Sequence, residues 1–391
     1  MTAPKLAYIS FDIVPALKGA AIHISAFATA IAAEFGQLQL VTVSPTEQLE
    51  QSSEFGIQQT ALPAVGKTLI DRVLSFRAAL WQWLQGRSFD IIHIRSPFEG
   101  LPVALHKPIL CRHLIFEVNG LPSIELKYRY PKVADDRELM HKLTEQERIC
   151  RQAADCLITP SPVTQAYLHS LPNSPAVHVI PNGVALDTFY YAPPRSAIAS
   201  PLKLLYFGTL SPWQGVDLAI DALALYRRDQ AAQLTIAGPT RPGQLRTLTK
   251  LAHKLAVADH IHFAGPLLPS NLVAQMHQAD VIVAPLKACD RNLLQGCCPL
   301  KVLEGMASGT PVVTSNLPVV QAIGESGTHF LAAKPNSTKA LKDALLQLRY
   351  DTTLRHHLSK QARTQVERTY TWKIANQQLL NIYQQLLRSA A

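Results

Sequence analysis

The chain has 391 residues, 48% of them apolar and 17% charged, with a formal net charge of +9. That length exceeds what one hydrophobic core usually organises, so two domains are expected, and the apolar content excludes a disordered chain. No stretch approaches the roughly 20 consecutive apolar residues of a membrane span, so a spanning protein is not expected.

The amino-terminal stretch M-T-A-P-K-L-A-Y-I-S-F reads as a lysine followed by a strand, without the apolar run and cleavage site of a secretory signal. A cytoplasmic location is expected. From residue 5 the chain runs strand, Pro- and Gly-containing loop, then helix, and from residue 203 the same sequence of elements begins again. Strands are predicted at Leu38–Val43, Ile91–Ile94, Leu114–Val118, Cys156–Thr159 and Val177–Ile180. A second set is predicted at Gln233–Ala237, His260–Ala264, Val281–Ala284, Pro311–Thr314 and Phe330–Ala332. Alternation with helical stretches makes each set a parallel sheet covered on both faces, an α/β class of two doubly wound, Rossmann-like domains.

The expected layout is a first domain over 1–186, a Pro-rich linker over 187–201, a second domain over 202–370 and a terminal helix over 371–391. That helix, with Trp372, Ile374, Ala375, Leu379, Ile382, Tyr383 and Leu386 at helical spacing, is expected to pack on a domain surface. Ligands of open α/β sheets sit beyond the carboxyl ends of the strands, so two such domains facing each other across a cleft would serve it with loops from both.

Lys67 to Arg87 joins Arg72 and Arg77 with Trp81 and Trp83 on one helix. Its simpler reading has Leu69, Val73, Phe76, Leu80 and Leu84 facing the core with the cations solvated; the alternative is peripheral contact with an acidic membrane. The positive net charge calls for an anionic partner such as a nucleotide, a phosphorylated substrate or an acidic lipid. Nucleic acid is not expected, because no basic block, zinc knuckle or RNP-type motif is present. Six cysteines without C-x-x-C spacing and fourteen histidines without H-E-x-x-H suggest neither a metal site nor a disulfide framework.

The stretch Q-G-C-C-P-L-K-V-L-E-G-M-A-S-G, Gln295 to Gly309, is the most informative. Pro299 suits the first position of a helix and Gly309 its end. Lys301 in the first turn opposes the helix dipole, at about 0.3–1 kcal/mol, unless an anion is held there; then dipole, free N–H groups and lysine act together. Glu304, one turn on, is placed to accept hydrogen bonds from a sugar diol; the simpler alternative is a Lys301–Glu304 surface pair. Two further loops suit phosphate, Lys18-Gly19-Ala20-Ala21 and Gly208 to Gly215, each leading into a helix.

Four motifs then carry a family resemblance: Val179-Ile180-Pro181-Asn182-Gly183-Val184, Tyr206-Phe207-Gly208-Thr209-Leu210-Ser211-Pro212-Trp213 with Gly215-Val216-Asp217, Leu234-Thr235-Ile236-Ala237-Gly238, and Glu304 to Val313. In this order they resemble the group-one (family four) retaining glycosyltransferases of GT-B fold. The resemblance implies a metal-independent enzyme that moves a sugar from a nucleotide-sugar donor to a glycan, lipid-linked or small-molecule acceptor with retention, using no other cofactor. It places the donor on the second domain and the acceptor on the first, with Glu304 on the ribose, the helix that carries Glu304 pointing its amino terminus at the diphosphate, and the carboxy-terminal helix packing back toward the first domain.

The departures are Thr209 and Gln214 where the family has cations, Gly296 where the paired-glutamate motif has its first carboxylate, and Asn119 where a histidine is usual. A departing diphosphate still needs positive charge, for which Arg291 and Lys301 are the available groups. The expected donor contacts are Gly19, Gly208, Thr209, Gln214, Gly215, Asn292, Gly296, Cys297 and Glu304. Arg291, Lys301 and Asn119 are expected nearest the chemistry, and Arg95, Glu117 and Glu125 on the acceptor, with His23 and His93 open between packing and ligand contact. Asn119 can hydrogen-bond a hydroxyl but cannot be a general base near neutral pH. The substitutions also keep two alternatives open: a non-catalytic nucleotide- or glycan-binding GT-B protein, and a nucleotide-sugar 2-epimerase.

Overall fold

A computed structural model of the chain describes residues 3–131 and 135–388. It forms two compact units, Met1–Pro181 with Lys373–Ala391, and Asn182–Trp372. The expected terminal helix over 371–391 is observed as Trp372–Arg388, and residues 389–391 lie outside the described residues.

The first unit holds eight strands: β1 (Leu6–Ile9), β2 (Leu38–Val43), β3 (Glu50–Glu54), β4 (Ile57–Leu62), β5 (Phe89–Ile94), β6 (Cys111–Glu117), β7 (Cys156–Thr159) and β8 (Ala176–Val179). Their order is β3-β4-β2-β1-β5-β6-β7-β8, parallel throughout except for the β3–β4 hairpin. The second unit holds β9 (Leu202–Phe207), β10 (Ala232–Ala237), β11 (Ile261–Gly265), β12 (Val281–Ala284), β13 (Val312–Ser315) and β14 (Leu331–Ala333). These are parallel in the order β11-β10-β9-β12-β13-β14. Strands such as Leu6–Ile9 and Val281–Ala284 are buried at every residue, as expected where helices cover both faces.

The strand order reverses next to β1 and β5 in the first sheet and next to β9 and β12 in the second. Loops after these strands part in opposite directions and leave a crevice at the carboxyl edge. The candidate residues discussed below lie in or beside these loops, on the helices that follow them, or at the end of β6 and in the loop and helix after it.

The sequence reading did not foresee the β3–β4 hairpin. Glu50–Glu54 is exposed at all five residues, so it lacks the apolar alternation that marks a half-buried strand. Residues 187–201, expected as a linker, lie within the second unit: Ala192 N donates to Ser308 O (3.0 Å), and the buried Arg355 donates from Nη2 to Ser196 O (2.9 Å). The helix Trp372–Arg388 buries Ala375, Leu379, Ile382 and Tyr383.

In the helix Leu69–Leu84, Val73, Phe76, Leu80 and Leu84 are buried, capped by Thr68 and Asp71. Its cations are engaged internally: Arg72 Nε donates to Ala64 O (3.2 Å), and Arg77 donates to Phe98 O and Pro97 O (2.7 Å each). Ile70 and Leu74 remain exposed on its outer side. Among the described residues no helix is long and apolar enough to cross a membrane, and no disulfide joins any of the six cysteines.

Candidate active site

In the first unit the carboxyl edge of the sheet is organised around Glu117, the last residue of β6, whose carboxylate is 1% exposed. Oε2 accepts from the Tyr8 hydroxyl (2.7 Å) and lies 3.2 Å from His93 Nε2 and 3.4 Å from Arg95 Nε. Oε1 lies 2.7 Å from His23 Nε2 and accepts from the Asn119 side-chain amide. Parallel register explains part of the convergence, since Tyr8 stands opposite His93. The helix Gly19–Phe35 brings His23 over the edge from the far side of the loop.

Burial alone would raise the Glu117 carboxyl, but the charges of His23 and Arg95, with hydrogen bonds from both histidines, hold it well below the usual range. Burial lowers His93 from the usual imidazole range against the opposing pull of Glu117, and its Nδ1 lies 2.9 Å from the Tyr383 hydroxyl of the terminal helix. Arg95 also meets Asp12 (3.0 Å), which pairs with Lys18 (2.8 Å) beside Gly19. The turn at Arg95 is fixed by Glu99, whose Oε1 accepts from Arg95 N (2.8 Å) and Ser96 N (2.6 Å). Glu125 folds back so that its carboxyl oxygens lie 2.8 Å from where a Cβ on Gly120 would stand.

In the second unit the centre is the helix Leu300–Ser308, with Pro299 at its amino end and Gly309 (φ 86°) ending it. Lys301 is 7% exposed, which excludes a surface pair with Glu304. Its Nζ donates to the Tyr206 hydroxyl (2.9 Å) and stands 4.0 Å from that ring's centre. Tyr206 in turn donates to Thr209 O (2.8 Å). A Cβ on Gly208 (φ 104°) would sit 3.7 Å from Lys301 Nζ, so the lysine reaches from its helix to the loop after β9. Thr209 itself is exposed.

Gly215 is equally constrained: at φ 72° its Cβ would fall 1.8 Å from Pro285 O, so the loops after β9 and β12 touch there. Asn292, fully buried in the π-helical turn Arg291–Gln295, stitches them by donating to Trp213 O (3.0 Å) and Lys287 O (2.8 Å). Arg291 donates from Nη1 to Gly296 O (2.5 Å), and its guanidinium lies 5.9 Å from the Trp213 ring centre. Gly296 takes φ 75°.

Burial pushes Lys301 down to about 7 despite the opposing pull of Cys297 and Glu304, and pushes Glu304 up to about 8 despite Lys301. Among the described residues the Glu304 carboxyl makes no hydrogen bond. A buried ammonium and a carboxyl without a donor lie one helical turn apart, at the end of a helix whose first N–H groups have no side-chain cap.

Gly208, Thr209, Gln214, Gly215, Arg291, Asn292, Gly296, Cys297, Lys301 and Glu304 thus lie on one loop-and-helix assembly. Arg95, Glu117, Asn119, Glu125 and Gly19 lie at the carboxyl edge of the other sheet. Both histidines left open pack on Glu117. The sequence reading missed Tyr206, Tyr8 and Tyr383, which pass as apolar residues of strand and helix. Asp12 carried a signal, being the first carboxylate after β1.

Two units built on parallel sheets, with the candidate residues gathered at the carboxyl edges, have the GT-B fold. Sucrose-phosphate synthase from Thermosynechococcus elongatus has the same fold, with a TM-score of 0.81 and 20% identity over 98% of this chain and 100% of that one. Anabaena Alr3699/HepE in complex with UDP-glucose has a TM-score of 0.74 and 15% identity over 97% and 100% of the two chains. Residues 17–188 match the Glycosyltransferase Family 4 profile and residues 194–365 that of Glycosyl transferases group 1, so the chain belongs to the group 1 (family 4) glycosyltransferases. The D-inositol 3-phosphate glycosyltransferase of Corynebacterium glutamicum (strain R) is 29% identical over 321 residues, covering 76% of this chain and 72% of that one.

Proposed function

We propose that the chain is a retaining, metal-independent glycosyltransferase that takes its sugar from a nucleotide-sugar, with the diphosphate at Lys301 and the ribose at Glu304. The observation that carries this reading is the reach of Lys301 from its helix to Gly208, into a loop whose own side chains at Thr209 and Gln214 bring no cation. A diphosphate there restores the charge that burial takes from Lys301, gains from the uncapped N–H groups, and stands within the loops' shared backbone. Glu304 then accepts from the ribose hydroxyls.

Arg291 is the second cation of the clamp, steadied by Gly296 O and the Trp213 ring. As the glycosidic bond breaks, charge collects on the leaving phosphate, and the two cations stabilise it. That phosphate oxygen takes the acceptor proton on the same face, which requires no side-chain base and yields retention. The acceptor belongs to the edge around Asn119, Arg95 and Glu125. The HepE complex makes UDP-glucose the first donor to try.

The test is a thermal-shift screen of UDP-, GDP- and ADP-sugars on the wild type, Lys301→Ala and Lys67→Ala. A ligand at about 100 times its dissociation constant adds roughly 2.7 kcal/mol of stability. The shift should vanish in Lys301→Ala and survive in Lys67→Ala; equal shifts in all three chains remove Lys301 from the site. Proton NMR of the product's anomeric signal reads retention.

A further inference from the structure

We infer that Glu117 is a positioning residue for Asn119: it holds the side-chain amide so that Asn119 Oδ1 faces the open edge as the hydrogen-bond acceptor for the acceptor substrate's hydroxyl. The inference rests on the proposed transferase reading and adds the residue pair that receives the hydroxyl. A carboxylate admits only donors, and Glu117 Oε1 takes the amide nitrogen of Asn119, which turns the carbonyl the other way. Among the described residues Oδ1 makes no hydrogen bond, and Asn119 is half-buried while Glu117 is sealed. Glu117 therefore acts through its neighbour and touches no ligand itself.

The cluster also dictates what a change would do. Tyr8, His93 and Arg95 all stand at Oε2. In Glu117→Gln the Tyr8 hydroxyl, with His93 and Arg95 beside it, keeps the amide oxygen at that place, so the new NH2 group takes the Oε1 place, where it faces Asn119 and also His23 Nε2, which must then present an unprotonated nitrogen to it. The Asn119 amide must then flip and offer N–H groups to the open edge. Asn119→Asp alone sets two carboxylates against each other. The double variant Glu117→Gln/Asn119→Asp restores a matched pair, with one Asp oxygen accepting from Gln and the other facing outward.

The experiment pairs a structural readout with turnover. In the nitrogen-15 spectrum the Asn119 side-chain pair is the one lost in Asn119→Asp; its carboxylate-bound proton should lie downfield in the wild type and move upfield in Glu117→Gln. UDP release from UDP-glucose, with water and glycerol as acceptors, should fall about tenfold in each single variant, as for one hydrogen bond, and recover in the double variant. The thermal shift by UDP-glucose should be the same in all four chains, which separates this pair from the donor site. An Asn119 pair unmoved in Glu117→Gln, or a double variant no better than the worse single, overturns the inference. A purely structural role for Glu117 predicts additive losses and no recovery.

Discussion

The two carboxyl edges treat a carboxyl group in opposite ways, one sealed at Glu117 and one half-buried at Glu304. Glu117 is surrounded by Tyr8, His23, His93, Arg95 and Asn119, and is held well below the usual carboxylate range once these charges offset its burial. Glu304 is pushed up to about 8 by burial, because a single lysine, itself pushed down to about 7, is the charge set against it. The carboxylate of the first cluster is fully paired within the protein and works as scaffold, leaving Asn119 Oδ1 as the group turned outward. The second lacks charge and donors that a ligand can bring, which is what a binding site for an anionic sugar nucleotide requires.

The largest effect expected from breaking this contrast is on the complete side. Glu117→Ala leaves Arg95 buried without its carboxylate, and loss of one partner of such a pair costs about 3–5 kcal/mol. Chemical denaturation should read that loss while UDP-glucose still binds the folded fraction; a change under about 1 kcal/mol would mean the cluster is not scaffold. Next is Lys301→Ala, which should lower turnover by about 10²–10³, the usual toll of one stabilising group at a developing charge. Lys301→Arg should keep more of the rate than Lys301→Ala, and identical kinetics for the two would contradict a charge role.

A smaller effect sharpens the incomplete side. Binding a diphosphate requires Lys301 protonated, so above about 7 it demands proton uptake; binding ribose favours Glu304 ionised, so below about 8 it demands proton release. Below 7 only release operates and affinity rises with pH. Between 7 and 8 uptake and release cancel, and above 8 only uptake operates and affinity falls. Each limb should approach a tenfold change per pH unit. Calorimetry with UDP-glucose, whose diphosphate does not titrate here, should lose its acid limb in Glu304→Gln and its alkaline limb in Lys301→Arg. A flat profile in the wild type would separate both groups from the ligand. The smallest effect is Tyr383→Phe, which removes one buried hydrogen bond to His93 at about 0.5–1.5 kcal/mol, visible as a lowered denaturation midpoint.

Periodicity and punctuation in the sequence were enough for twelve of the fourteen described strands, all but β3 and β4, because a buried parallel strand must be apolar along its whole length and a helix must show spacing by three and four. The order of the glycine loops and the Glu304 phrase likewise made the family legible, since backbone close to a ligand tolerates few residue types. The exposed β3 strand left no such mark. Nor could the sequence reveal that Lys301 is buried against Tyr206, or that Glu117 gathers residues as distant as Tyr8, 109 positions away, and reaches through His93 to Tyr383, a further 290 away. Local pattern determines which face of an element turns inward. Which charge stands opposite another is decided only when distant elements pack, because the energy of a buried ion depends on every group within a few ångströms and not on its neighbours in the chain.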